Sequence, residues 1–258
     1  MSKNNDEEQE QEADDNAADN TNDNTNDSTK TLNTGQLIAI SLFGTGIQAP
    51  LLFLPANNWL WIEAWIYLLF FLVFLLILTI LLNKKNPEIL QNRMKSKKEG
   101  FSKPSGSDKF IMPLISSGFI LTYIIPAFDE RYGWSGDSLI IMVFGFILLV
   151  ISFYLLYQVM LQNAYASKVL DIRKDSGHKL IDTGYYAKVR HPMYSAFSLM
   201  FIAIPLAFNC LWALIPAFMT VSMLILRIKY EEEMLIQGLN GYREYKERVK
   251  YKIIPKIY

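Results

Sequence analysis

Residues 193–226 read MYSAFSLMFIAIPLAFNCLWALIPAFMTVSMLIL, thirty-four consecutive residues without a charge. As one helix, at about 1.5 Å rise per residue, the run would reach roughly 50 Å, far beyond a ~30 Å hydrocarbon core. Pro205, Asn209 and Pro216 interrupt it. The run therefore predicts a helical hairpin turning near Asn209 and Cys210. Upstream lie further uncharged runs at Leu37–Pro55 (weakened by Gln48 and Pro50), Ala64–Leu82, Phe110–Phe128 and Ser138–Met160. A chain of 258 residues would otherwise suggest one or two soluble domains. These runs predict instead an all-α, polytopic membrane helix bundle of about six membrane segments, the hairpin supplying the last two.

Charge sets the orientation. Between the spans, segment 83–109 carries eight bases, segment 161–192 six, and segment 227–258 eight. The alternate connections are poor in bases: 56–63 has none, and 129–137 has Arg131 beside Asp129, Glu130 and Asp137. Lys and Arg accumulate on the cytoplasmic side of membrane proteins. Six spans place all three basic segments and both termini there. Five would put segments 161–192 and 227–258 on opposite sides, against the basic bias of both.

The formal net charge of zero hides two unlike pieces. Residues 1–30 hold ten acids against Lys3 and Lys30 and lack Leu, Ile, Val and aromatics, so residues 1–34 read as a disordered acidic tail. The tail has no basic stretch followed by an apolar core, and so does not read as a signal peptide. Residues 35–258 form the membrane domain, with its motif-bearing part at 161–258. One cysteine, Cys210, and two histidines, His178 and His191, are too few for the usual cysteine- or histidine-based metal centres, and no metal is expected. No nucleic-acid partner is expected either. A transporter is disfavoured because no charge lies within any span. Gly44 and Gly46 read as helix-packing positions.

Polar residues concentrate on the basic side in two places. The first is the run His178 to Tyr194. Gly184 permits a turn there, and Pro192 suits the first turn of the hairpin's first helix. Arg190 and His191 then stand at the positive end of that helix, where an anionic group is readily held. The second is Arg227-Ile228-Lys229-Tyr230-Glu231-Glu232-Glu233. Arg227 and Glu231, four apart, share a helix face, and Glu232 lies on another. Carboxylates beside a base-rich membrane surface suit a ligand bearing hydroxyls or positive charge.

The ordered set Gly184-x-Tyr186-x-x-x-Arg190-His191-Pro192-x-Tyr194, Arg227-x-x-x-Glu231-Glu232-x-x-Leu235 and Gly241-Tyr242-x-x-Tyr245 resembles the isoprenylcysteine carboxyl methyltransferase family. The related phospholipid N-methyltransferases share its outline. Asn86-Pro87-Glu88 with Arg93, and Asn163 before Ser167, look like prokaryotic members. The resemblance spans roughly residues 60–258. It implies S-adenosyl-L-methionine as cofactor, a cytoplasmic cofactor pocket, and a lipophilic or membrane-held methyl acceptor among the membrane lipids of a prokaryotic cell membrane. Carried over, the cofactor contacts fall on His178, Lys179, Leu180, Ile181, Tyr186, His191, Pro192, Met193, Tyr194 and Glu231. Glu232, within the same motif, is counted with them. Arg190 joins them because a cationic side chain at a helix N-terminus suits the cofactor carboxylate. The substrate-side arginine falls on Arg227, where it would clamp an acceptor carboxylate. A glutamine that the family often places five to seven residues before His178 is absent; Asp171, Ile172 and Arg173 stand there.

The activity so implied is carboxyl O-methylation of an isoprenylcysteine-like substrate. N-methylation of a phospholipid or other amine is one alternative. A sterol-reductase-like enzyme using NADPH is another, disfavoured because Glu231, Glu232 and Glu233 would repel the extra phosphate. A non-catalytic scaffold would leave the clustered motifs unexplained.

The topology has a direct test. In a background carrying Cys210→Ser, Asp137→Cys is expected to react with an impermeant thiol reagent in intact cells, and Lys97→Cys to remain unlabelled; the reverse pattern inverts the orientation.

Overall fold

The computed structural model describes residues 31–85, 87, 90, 106, 108–162 and 180–258. The acidic tail up to residue 30, Arg93, Asn163, Ser167, His178 and Lys179 lie outside them. Most of the described residues are helical, with no strand among them. In chain order the helices are α1 (Thr34–Gly46), α2 (Gln48–Ala56), α3 (Ile62–Lys85), α4 (Asp108–Tyr132), α5 (Leu139–Gln162), α6 (Pro192–Ala207), α7 (Leu214–Gly238) and α8 (Tyr242–Arg248).

α3, α4, α5, the pair α1–α2 and the stretch Leu211–Gly238 are long and apolar enough to cross a membrane. α6 is shorter, at 16 residues, or about 24 Å at the usual rise. The hairpin forms where the sequence places it. Asn209 adopts a left-handed φ of 55°, a conformation asparagine tolerates better than most residues. Cys210 N donates to Pro205 O at 2.9 Å, closing the turn, and Asn209 Nδ2 reaches the carbonyl of Gly136.

The first span departs from the single run expected over Leu37–Pro55. It is divided at Ile47 into α1 and α2. Pro50 has no N–H for the carbonyl of Gly46, so the regular ladder lacks a bond at this place. The two pieces then address different neighbours, α1 packing on α3 and α2 on α4. α1 starts at a capping box: Asn33 Oδ1 accepts from Gln36 N at 2.8 Å, and Gln36 Oε1 accepts from Asn33 N at 3.0 Å. Just before it, Leu32 exchanges two backbone hydrogen bonds with the Asn83 side chain, fixing the start of α1 beside the end of α3.

The ends of the bundle differ in kind. One gathers the end of α3, the start of α4, the end of α5, the start of α6 and the end of α7, where the base-rich segments attach. The other gathers Trp59, Trp61, Trp134 and Trp212, with Trp65 one turn inside α3. Such an aromatic belt marks a membrane–water interface. Between the ends, Leu69, Phe144, Ile147, Phe218 and Met219 are exposed, as lipid-facing side chains must be. The core contains Leu52, Phe53, Tyr67, Tyr123, Leu149, Phe153 and Ile204. Within it the Tyr67 and Tyr123 hydroxyls meet at 2.8 Å, so neither phenol is left unpaired.

Lipid offers little hydrophobic drive between helices, so close backbone approach carries much of the packing. Gly118 of α4 sits against Thr220 of α7, and Gly44 of α1 against Leu75 of α3. Gly145 of α5 faces backbone, which cannot turn aside: a Cβ there would lie 2.2 Å from Ala207 N and 2.5 Å from Leu206 C. Gly46 meets nothing within 4 Å, so only Gly44 of that pair packs a neighbouring helix. Gly145→Ala should therefore push α5 from α6 and cost about 1–3 kcal/mol, read as a lowered melting midpoint in detergent. Gly46→Ala should leave that midpoint unchanged.

Candidate functional site

Leu180 to His191 form a non-helical loop at the basic end, leading into α6. Gly184 takes a positive φ of 60°, and any Cβ there would collide with the Gln162 side chain at 2.4 Å. Gln162 Oε1 also accepts from Tyr185 N at 3.0 Å, so the end of α5 holds the turn. Farther along, Tyr245 of α8 donates its hydroxyl to the Tyr186 carbonyl at 2.7 Å. Leu180 packs against Tyr242, Tyr245 and Val249. The loop is thus gripped between α5 and α8.

The next anchor is ionic. Arg190 Nε donates to Glu232 Oε1 at 2.6 Å, and both side chains are buried. His191 Nε2 lies 3.3 Å from the same oxygen, while Lys246 Nζ and Lys252 Nζ stand 3.6 and 3.9 Å from Glu232 Oε2. Arg190 Nη1 also donates to the carbonyls of Val249 and Lys250, at 2.5 and 2.8 Å. The segment after α8 continues past the loop. Tyr251 O accepts from Arg190 N, Lys252 O from His191 N, and Ile253 O from Ser195 Oγ. Ile253 itself is buried among Tyr194, Phe201, Ala217, Leu224 and Ile228. Loop, α7 and the segment 249–253 therefore share one buried carboxylate and one guanidinium.

Arg227 and Glu231 do share the face expected of them, and a third residue joins them. Arg227 Nη1 donates to the Tyr194 hydroxyl at 2.6 Å, and that hydroxyl donates to Glu231 Oε2 at 2.5 Å. The Tyr194 ring lies 5.9 Å from the Arg227 guanidinium carbon and stacks on His191 at 5.6 Å between centroids. On its other edge, Arg227 places Nε 3.1 Å from Asp108 Oδ1 and Nη2 3.3 Å from Asp108 Oδ2. Arg227 is 6% exposed and Asp108 2%. Glu231, by contrast, is half-buried and remains reachable.

The structure brings Arg190, His191, Tyr194, Arg227, Glu231 and Glu232 together, with Pro192 at the first helical position of α6 and Met193 beside it. Tyr186 and Leu180 stand in the loop against α8, and Ile181 lies between them. Within the group the roles diverge. Glu232 faces Arg190, His191 and two lysines, whereas Glu231 faces Tyr194 and the accessible side. Tyr242 adds a buried hydroxyl with no hydrogen-bond partner. Burial, reinforced by the neighbouring Glu232 carboxylate, holds its pKa above the ordinary phenol value, so it stays protonated.

Sequence reasoning missed Asp108, Gln162 and the segment 249–253. Asp108 had a faint signal, as an acid in the first turn of a helix next to Lys109. Ile253 and Ile254 are apolar residues inside an otherwise basic stretch.

The geometry gathers, at one end of a membrane bundle, residues from α5, the following loop, α6 and α7. Residues 140–241 match the phospholipid methyltransferase family model. The match agrees with the resemblance to the isoprenylcysteine carboxyl methyltransferases and their phospholipid-methylating relatives, and it points to a membrane methyltransferase. It runs from the start of α5 to the end of α7 and takes in Gln162, Arg190, His191, Tyr194, Arg227, Glu231 and Glu232. Asp108, α8 and the segment 249–253 lie outside it. No curated protein matches the chain.

Removing one partner of a buried charge pair strands the other. Glu232→Gln should therefore destabilise the protein by about 3–5 kcal/mol, measured as a loss of thermal stability in detergent. Glu233→Gln, on an exposed position of the same helix, should change it by no more than about 0.5 kcal/mol.

Proposed function

We propose that the protein is an S-adenosyl-L-methionine-dependent methyltransferase acting on a lipophilic, membrane-held acceptor at the basic, cytoplasmic end of the hairpin. The observation that carries this reading is the chain Glu231–Tyr194–Arg227, which joins an accessible carboxylate to a buried guanidinium one helical turn deeper. The residues suit the cofactor chemically. Glu231 offers a half-exposed acceptor for hydroxyl or ammonium groups, the stacked faces of His191 and Tyr194 offer π-surface for a sulfonium or a purine, and Tyr242 offers an unpaired hydroxyl.

When bound, the cofactor supplies an electrophilic methyl, which leaves its sulfur for the acceptor's lone pair as the sulfonium becomes a neutral thioether. The protein's part is to position the partners and exclude water. Glu231 holds the cofactor side. Tyr194, locked between Glu231 and Arg227, fixes the distance between the two sides. Arg227 faces an acceptor arriving along α4 and α7 from the lipid.

For the acceptor, carboxyl O-methylation is supported by the positive charge of Arg227 at the deep end of the chain, with its Nε–Nη2 edge held by Asp108. An ionised carboxylate needs no base. A second reading, N-methylation of an amine headgroup, is favoured by two other observations. The matched family is one of phospholipid methyltransferases, and Asp108 and Glu231 together outnumber Arg227, which makes the group hospitable to a nitrogen base.

Titration of the solubilised protein tests the cofactor assignment: S-adenosylhomocysteine should bind, and NADPH should not. Glu231→Gln should weaken S-adenosylhomocysteine binding by about 1.5–3 kcal/mol in calorimetry, the range for a hydrogen bond to a charged group. Arg227→Ala should leave that binding nearly intact and lower methyl transfer at least ten-fold, or ~1.4 kcal/mol. Arg227→Lys should recover only part of the loss, because a point charge does not reproduce a two-point clamp.

A further inference from the structure

Asp108 comes from a part of the chain that the methyltransferase segment does not include. α4 ends at Tyr132, and the family match starts at residue 140. Yet its carboxylate sits 2% exposed in the middle of the site, 3.1 and 3.3 Å from two different nitrogens of Arg227. Two contacts along the Nε–Nη2 edge stop the guanidinium from rotating in its plane. The remaining nitrogen, Nη1, is thereby directed to the Tyr194 hydroxyl at 2.6 Å.

The pairing has an electrostatic side as well. A buried arginine at the headgroup level, without a permanent counter-charge, would draw phosphates and carboxylates from the surrounding lipid regardless of the rest of their structure. A fixed carboxylate at contact distance removes most of that indiscriminate attraction. It leaves Nη1 directed at the Tyr194 hydroxyl, so the same contact also fixes the tyrosine.

We propose that Asp108 is a positioning residue of the acceptor side: it aims Arg227 and, by neutralising it, sets which acceptors the site takes. This rests on the functional reading above. Asp108 lies at the start of α4, where the helix emerges toward the lipid headgroups, so the part of the chain outside the match contributes to substrate choice while the matched part holds the cofactor. Gly118, farther along α4, packs directly on Thr220 of α7, two turns before Arg227. The register that brings Asp108 to Arg227 is thus fixed by helix packing and not by the ion pair alone.

The test uses the full chain in phosphatidylcholine nanodiscs, with Asp108→Asn and Asp108→Glu beside the unmodified protein. Calorimetry with S-adenosylhomocysteine reads the cofactor side. Labelled methyl transfer to N-acetyl-S-farnesylcysteine, to phosphatidylethanolamine and to a total membrane extract reads the acceptor side. Asp108→Asn is expected to bind S-adenosylhomocysteine within two-fold of the unmodified protein. Its kcat/KM for the methylated acceptor should fall at least ten-fold, with the larger part of the change in KM. Asp108→Glu, which keeps the charge on a longer stem, should recover part of that loss. Asp108→Asn with unchanged kcat/KM overturns the inference while leaving the methyltransferase reading intact. So does a parallel loss of cofactor affinity in both variants, which would make Asp108 an anchor of the fold. If the unmodified protein transfers methyl to none of the three acceptors, the functional reading falls and the inference falls with it.

Discussion

The buried contact between Arg190 and Glu232 is the constraint on which the basic end of the molecule depends. Neither group is cheap to bury, and each is tolerable there only because the other, together with two backbone carbonyls and nearby lysines, supplies the hydrogen bonds and counter-charge that water would. Three pieces of chain distant in sequence must converge for that to happen: the loop before α6, the end of α7 and the segment after α8. Once they have converged, His191 and Tyr194 have little freedom left. The adjacent Glu231 is turned by the helix itself to a different face, where it meets Tyr194 and remains accessible. Two consecutive glutamates thus serve opposite ends, one tying the architecture together and one turned toward the accessible side.

Much of this architecture is written in the sequence as interruptions. The uncharged run 193–226 is too long for one crossing, and Asn209 makes the turn that shortens it. Pro50, which weakened the first span as a sequence feature, appears in the structure beside the break at Ile47 that splits it. The membrane segments were legible because lipid forbids unpaired backbone groups and charges over some 30 Å, a coarse constraint that composition satisfies or does not. The segment that matches the family model was legible because its polar residues are ordered and closely spaced.

Several residues singled out in the sequence come together in the structure, though the sequence does not show which of them touch. Arg190 reads as an anion-binding residue at a helix N-terminus, and an anion does meet it, but that anion is the protein's own Glu232. Arg227 and Glu231 read as neighbours on one face, and they are joined through the Tyr194 hydroxyl. Asp108 was hard to see for a plain reason. Its partner is 119 positions away in the chain, and one acid at the border of a lysine-rich stretch of sequence carries no periodicity and no motif. Contacts between distant segments are decided by helix register, which here depends on small residues such as Gly118 and Gly145 whose packing role appears only when the neighbouring helix is in place.

The segment 249–253 gives the molecule an order of completion. The carbonyls that accept from Arg190, His191 and Ser195 belong to residues that follow the hairpin, so α6 and α7 can pair in the bilayer before these partners dock. During that interval the Arg190–Glu232 pair lacks its backbone acceptors and the Ile253 niche between α6 and α7 stays open. The basic end therefore matures last, after insertion is finished, and a chain cut after residue 240 would carry the hairpin without the carbonyls that complete its polar centre.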